Sequence, residues 1–155
     1  MEKKKIFNII AAGLFLVGIV LWFALPAVQL KEGNATYTFL DLTFGKTTTV
    51  LGIEIVIFKF SFLNLLTVIL MLGALAVAIL RFLGKGIMKS DAFIVLALAV
   101  LALLFVVLSK QFVVMTNQDV KDAFIKDYAL TGGAIAVAVL AGLGGVSAVL
   151  GDYIK

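Results

Sequence analysis

Apolar positions fall into four blocks along the chain, 6–28, 60–83, 92–108 and 129–150, separated by shorter stretches that carry nearly all the charge. A helix needs about 20 apolar residues to cross the hydrocarbon core of a bilayer, so the blocks predict four transmembrane helices. In the first, Asn8 is the only strongly polar residue and is expected at headgroup depth, one turn from the Lys3-Lys4-Lys5 cluster. Trp22 and Phe23 approach its far end, where an aromatic belt is expected, and Pro26 falls in its last turn, where it can end the helix without stranding many backbone groups. Asn64 and Thr67 sit near the start of the second block, and Arg81 near its end is expected to snorkel to the headgroups. Ser90 reads as the N-cap of the third helix, with Asp91 in its first turn favoured by the helix dipole.

The fourth block differs in kind. Gly132, Gly133, Gly142 and Gly145, with Ala134, Ala138 and Ala141, repeat a small residue every fourth position. Small residues let helix backbones approach closely in lipid. Gly132, Gly133, Ala138, Gly142 and Gly145 are therefore candidate packing positions, either within the chain or in a homo-oligomer.

Two longer connectors, 29–59 and 109–128, follow other patterns. The first is rich in β-branched and aromatic residues and predicts a hairpin, with one strand over 35–44, a turn at Gly45-Lys46, a second strand over 48–57 and a bulge at Gly52. The competing reading starts the second helix at Val50, which places Glu54 and Lys59 at awkward depths. In the second connector, Phe112-Val113-Val114-Met115 either continues the third helix or adds a third strand to the hairpin. Thr116-Asn117-Gln118-Asp119 resembles a capping motif, and Val120, Ala123, Phe124 and Tyr128 form one stripe of a short amphipathic helix over 118–128.

Composition agrees with lipid as the solvent: 63% of the 155 residues are hydrophobic and 14% charged, where a soluble domain has roughly 25% charged residues. The net charge of +4 is gathered in Lys3, Lys4 and Lys5 and in Arg81, Lys85 and Lys89, while both longer connectors are balanced. By the positive-inside rule both termini face the cytoplasm of a plasma-membrane protein, and the segments 29–59 and 109–128 lie outside. Charge that flanks apolar blocks orients helices and predicts no nucleic-acid partner.

The chain has no cysteine and no histidine, which removes thiolate chemistry, disulfides, the commonest metal ligand and the commonest general base. No ionisable side chain falls at mid-depth of an apolar block, which argues against proton-driven transport. No Walker, zinc or nucleophile-elbow motif occurs. The sequence thus predicts neither an enzyme nor a cofactor or metal site.

Four spans, a β-rich first connector leading into the second span and a Leu25-Pro26 exit followed by extended chain resemble the claudin and peripheral myelin protein superfamily in layout. The family's Trp, Gly-Leu-Trp and cysteine pair of the first outer segment have no counterpart here, since the sole Trp is Trp22. The resemblance implies a mainly α membrane fold, a left-handed four-helix bundle topped by an outer antiparallel sheet of two to three strands. The function expected is contact, as an adhesion-like, scaffold or accessory protein whose partners are the bilayer and another membrane protein or a second copy. Tyr37, Phe39, Phe44, Phe124 and Tyr128 are the candidate contact residues, since aromatics dominate binding hot spots. The alternative is a small channel or transporter assembled through the fourth helix.

Overall fold

A computed structural model describes residues 3–84 and 91–153. The chain is mainly helical, with small antiparallel sheets gathered at one end. Its elements are α1 (Lys3–Ala24), β1 (Pro26–Leu30), β2 (Thr36–Thr38), α2 (Phe39–Phe44), β3 (Lys46–Val50), β4 (Ile53–Phe58), α3 (Phe62–Phe82), α4 (Asp91–Val107), α5 (Gln118–Asp127), β5 (Tyr128–Leu130) and α6 (Gly132–Tyr153).

Three helices are long and apolar enough to cross a membrane: Lys5–Ala24, Phe62–Phe82 and Gly132–Gly151. The apolar α4 has 17 residues. α1 packs against α3 and α6, and α4 packs against the same two. Hydrogen bonds fix the ends. Ser61, the N-cap of α3, donates its hydroxyl to the carbonyl of Phe112 beyond α4 at 2.6 Å. The opposite end carries Asn8, Arg81 and Asp91, joined side chain to side chain. Inward faces hold Phe15, Trp22, Met71, Val95, Val106 and Val137, all buried. Outward faces of all four helices show large aliphatic side chains, among them Val20, Leu72, Val100 and Leu143. This arrangement is compatible with a membrane α-protein.

The first helix stops earlier than the hydropathy pattern predicts. Pro26 does not close its last turn; it opens β1, whose Ala27 and Val28 are nonetheless fully buried, so apolar pattern alone could not separate helix from buried strand. β1 is the centre of a three-stranded sheet, ordered β2-β1-β5 and antiparallel throughout. The pair Leu30↔Tyr128 brings the two connectors together. The fourth apolar block is split likewise, with 128–130 as β5 and the helix beginning at Gly132. Thr131 stands between them, donating to the Pro26 carbonyl and accepting from the Ala134 amide.

The hairpin exists, displaced from its expected place. Residues 39–44 form a short helix because Thr38 and Asp41 make a reciprocal capping box. Gly45 is not the hairpin turn. It ends α2 at φ 101°, and a Cβ there would lie 2.8 Å from the Phe58 carbonyl oxygen, so only glycine fits. The hairpin is β3–β4, and Gly52 is part of its turn rather than a bulge: Leu51 and Gly52 both have positive φ between the paired Val50 and Ile53, as a type I′ turn requires. Val114 touches the hairpin through a single bridge to Lys59, so 112–115 is neither helix nor a full third strand. α5 starts where expected, capped by Asn117, whose side chain accepts from the Val120 amide.

Candidate functional site

Sheet, hairpin, α2 and α5 form a cap over one end of the helices, and an aromatic cluster fills it. Tyr37 on β2 meets Phe58 at the end of β4 edge-on, with ring centroids 4.9 Å apart. Phe58 meets Phe124 of α5 at 5.2 Å, and Phe124 meets Tyr128 at 4.8 Å. Edge-to-face and offset ring pairs of this kind add about 0.5–1.5 kcal/mol each beyond burial. Above these rings opens a cavity of about 220 Å³, lined by Tyr37, Phe58, Met115, Phe124 and Tyr128, with Val120 and Ala123 on one wall and Asp127 at one side.

Tyr37, Phe124 and Tyr128 are thereby brought to one place. Tyr37 remains half-buried, and the Lys46 ammonium lies 5.1 Å from its ring centre. Phe124 is buried and forms the floor rather than a protruding anchor. Phe39 and Phe44 do not join the cavity. Phe39 is only 1% exposed and stacks on Trp22 at 5.5 Å, which corrects its expected role as a contact residue: its ring plugs the junction between the cap and α1. Phe44 is 55% exposed and touches the exposed Phe60 at the foot of the hairpin.

The polar groups around the cavity hold it in shape. Burial raises the Tyr128 hydroxyl to a pKa of about 12, helped by its hydrogen bond to Tyr37 and by the nearby Asp127 charge. Lys110 donates to the carbonyls of Ile125 and Tyr128 at the C-terminal end of α5, where a cation complements the helix dipole. Burial and, secondarily, Lys31 lower its pKa. Among the described residues no group of three or more acidic, His or Cys side chains gathers. The cavity can therefore receive an apolar or aromatic group, with Asp127 available to a cationic edge.

Two further features escaped the sequence reading. Val50, Ile53 and Ile55 stand exposed on the hairpin and Leu51 is 97% exposed at its tip, so aliphatic side chains join Phe44 on the exposed apolar surface of the cap. Their alternation with Thr49 and Glu54 was the available signal, hidden by the misplaced turn. At the opposite end Arg81 does not snorkel. It is buried, paired with Asp91 and donating to the Asn8 side-chain oxygen at 3.2 Å. Asn8 is fully buried. Opposite charges at facing ends of successive apolar blocks were the clue. The expected Ser90 cap and the basic connector around Lys85 and Lys89 lie outside the described residues.

The small residues of α6 meet neighbours within the chain. A Cβ on Gly145 would lie 2.7 Å from that of Ala99 on α4, and one on Gly142 3.0 Å from Leu103. Gly133 faces Leu25, Ala138 is buried, and only Gly132 among these five has open space. Gly144 lies against the Phe15 ring of α1. Asn64 makes interhelical hydrogen bonds, donating to the carbonyls of Leu42 and Ser109.

Comparison with protein-family models, with curated proteins and with solved structures finds no match, so the cap and its cavity are read from their own chemistry.

Proposed function

We propose that the chain is a non-enzymatic multi-pass membrane protein that acts by contact through its cap. On this reading α1, α3, α4 and α6 form a four-helix bundle spanning the plasma membrane, with both termini in the cytoplasm and the cap outside. The layout is claudin-like. Adhesion, scaffolding or service as an accessory subunit are the roles that such a cap suits.

The observation that carries the proposal is the aromatic cavity of the cap, where Tyr37, Phe124 and Tyr128 meet beside the exposed Val120. Large apolar exposure rimmed by polar residues marks an interaction surface. The orientation rests on the basic residues Lys3, Lys4 and Lys5 at the start of the chain and Lys85 and Lys89 in the sequence between α3 and α4. An oligomeric channel draws no comparable support, because the small-residue face of α6 is used against α1 and α4 and its outward face is Ile135, Val139, Leu143 and Val146.

A photo-crosslinking residue in place of Val120, on the cavity wall, tests this in native membranes. The proposal expects a discrete crosslinked species that weakens when Tyr128→Ala reshapes the cavity. Ion or solute flux from liposomes holding the purified chain, with no crosslinked species in membranes, would favour the channel instead.

A further inference from the structure

The hairpin is odd in three respects. Two strands alone are marginally stable in water, yet beyond the bridge at Lys59 and a long hydrogen bond from Thr116 to the Val56 carbonyl, no other described element pairs with β3 or β4. Its two faces differ: Thr48, Val50, Ile53 and Ile55 share one, and Thr47, Thr49, Glu54 and the exposed Val56 the other, so one face carries three large aliphatic side chains and the other a single valine among polar groups. Its tip holds leucine in the left-handed region at φ 53°, where a bulky side chain is an outlier and where Asn or Gly is the usual choice. A solvent-facing turn has no physical use for a strained, uncharged, 97% exposed leucine.

We infer that the apolar face of β3–β4 lies on the bilayer that the helices cross, with Leu51 seated in the leaflet at the cap end. The surface continues into the membrane belt: β3 follows exposed Phe44, β4 leads to exposed Phe60, and α3 opens with exposed Phe62. The chemistry of the tip separates lipid from a protein partner. Protein hot spots are rich in Trp, Tyr and Arg and poor in Leu and Val, and the tip offers only Val50, Leu51, Gly52 and Ile53. Its lysines sit at the base, where Lys59 can meet headgroup phosphates and Lys46 pairs with Asp41 at 3.7 Å, while Glu54, beside Ile53, lies on the face opposite to Val50 and Ile53. At roughly 3.3 Å per residue the strand of five residues in β3 is about 17 Å long, longer than the headgroup layer of roughly 5–8 Å on each side. The hairpin therefore engages the interface lying along it and not upright within it. The cavity beside it is left for a protein partner.

This inference rests on the membrane reading, and one experiment separates the two. The chain lacks cysteine, so Leu51→Cys, Ile53→Cys, Glu54→Cys and Leu143→Cys can each carry one environment-sensitive fluorophore in the purified full-length chain. In phosphatidylcholine nanodiscs containing nitroxide-labelled lipid, labels at 51 and 53 are expected to shift to the blue and be quenched. The label at 54 should emit as in water, and the label at 143 on the outward face of α6 should be quenched. Quenching at 143 with none at 51 or 53 overturns the hairpin inference and leaves the membrane reading standing. A blue shift at 51 and 53 without lipid quenching means a protein cover, a second copy included, and overturns it equally. Loss of quenching at 143 as well would overturn both.

Discussion

Arg81, Tyr128 and Leu51 each carry a cost or a constraint that a single substitution exposes. Arg81 and Asp91 are buried together, and breaking a buried pair costs about 3–5 kcal/mol because the remaining charge is left in a poor solvent. Arg81→Met, which leaves the Asp91 carboxylate buried, should lower stability by that amount in denaturant titrations in detergent. The double change Arg81→Met with Asp91→Leu should recover much of it, since apolar replacement of both partners is often neutral. Tyr128 makes a different test. Its folded pKa of about 12 lies above the usual phenol value near 10, so the neutral hydroxyl contributes stability that is fully present below pH 10. That contribution is lost as pH rises through about 12. Ultraviolet phenolate titration should show a late component that Tyr128→Phe removes. Leu51→Gly should stabilise the hairpin by about 1–2 kcal/mol, the cost of the left-handed conformation for a residue with a Cβ. The same change should remove the lipid contact, so stability and membrane engagement move in opposite directions.

The four long helices were legible from hydropathy alone, to within a few residues at their starts. Their cap-side ends were not, because 26–30 and 128–130 are strands inside apolar blocks, and a buried strand and a buried helix share the same apolar run. The hairpin was legible as a type and illegible in register. Gly45 and Gly52 are both punctuators, and deciding which makes the turn required the capping box of Thr38 and Asp41 to be recognised as the start of a helix. The aromatic picks separated by burial: Tyr37, Phe124 and Tyr128 meet at one cavity, whereas Phe39 is covered by Trp22, a long-range contact that no local pattern announces. For α6 the small-residue spacing marked a close-packed face, and its partner helices came only with the fold. Gly145→Ala should therefore loosen the α4–α6 contact by about 1–3 kcal/mol, the usual cost of overpacking. Gly13→Ala on α1, where an added Cβ meets nothing within 4 Å, should be tolerated, and comparing the two by thermal unfolding in detergent isolates the packing effect.

The molecule as a whole divides its polar chemistry between two ends. One end is tied by Asn8, Arg81 and Asp91, and the other by Thr131, Ser61, Asn64 and Lys110 through hydrogen bonds to backbone carbonyls. Between them the buried side chains are apolar apart from Thr67, and the outward ones are aliphatic with Phe23, Phe62 and Phe93 among them, so the helices form a scaffold whose surface suits lipid. What distinguishes the chain is the cap, with an aromatic cavity and a hairpin that forms a sheet of its own among the described residues. The proposed role in contact depends on that cap facing outward. The absence of native cysteine makes the decisive measurement clean. Single cysteines at Lys46 and Lys121, on the cap, and at Lys5, at the opposite end, are exposed to a membrane-impermeant thiol reagent on intact cells. The account predicts labelling at 46 and 121 and none at 5 until the membrane is opened. Labelling at 5 with protection at 46 and 121 would contradict it.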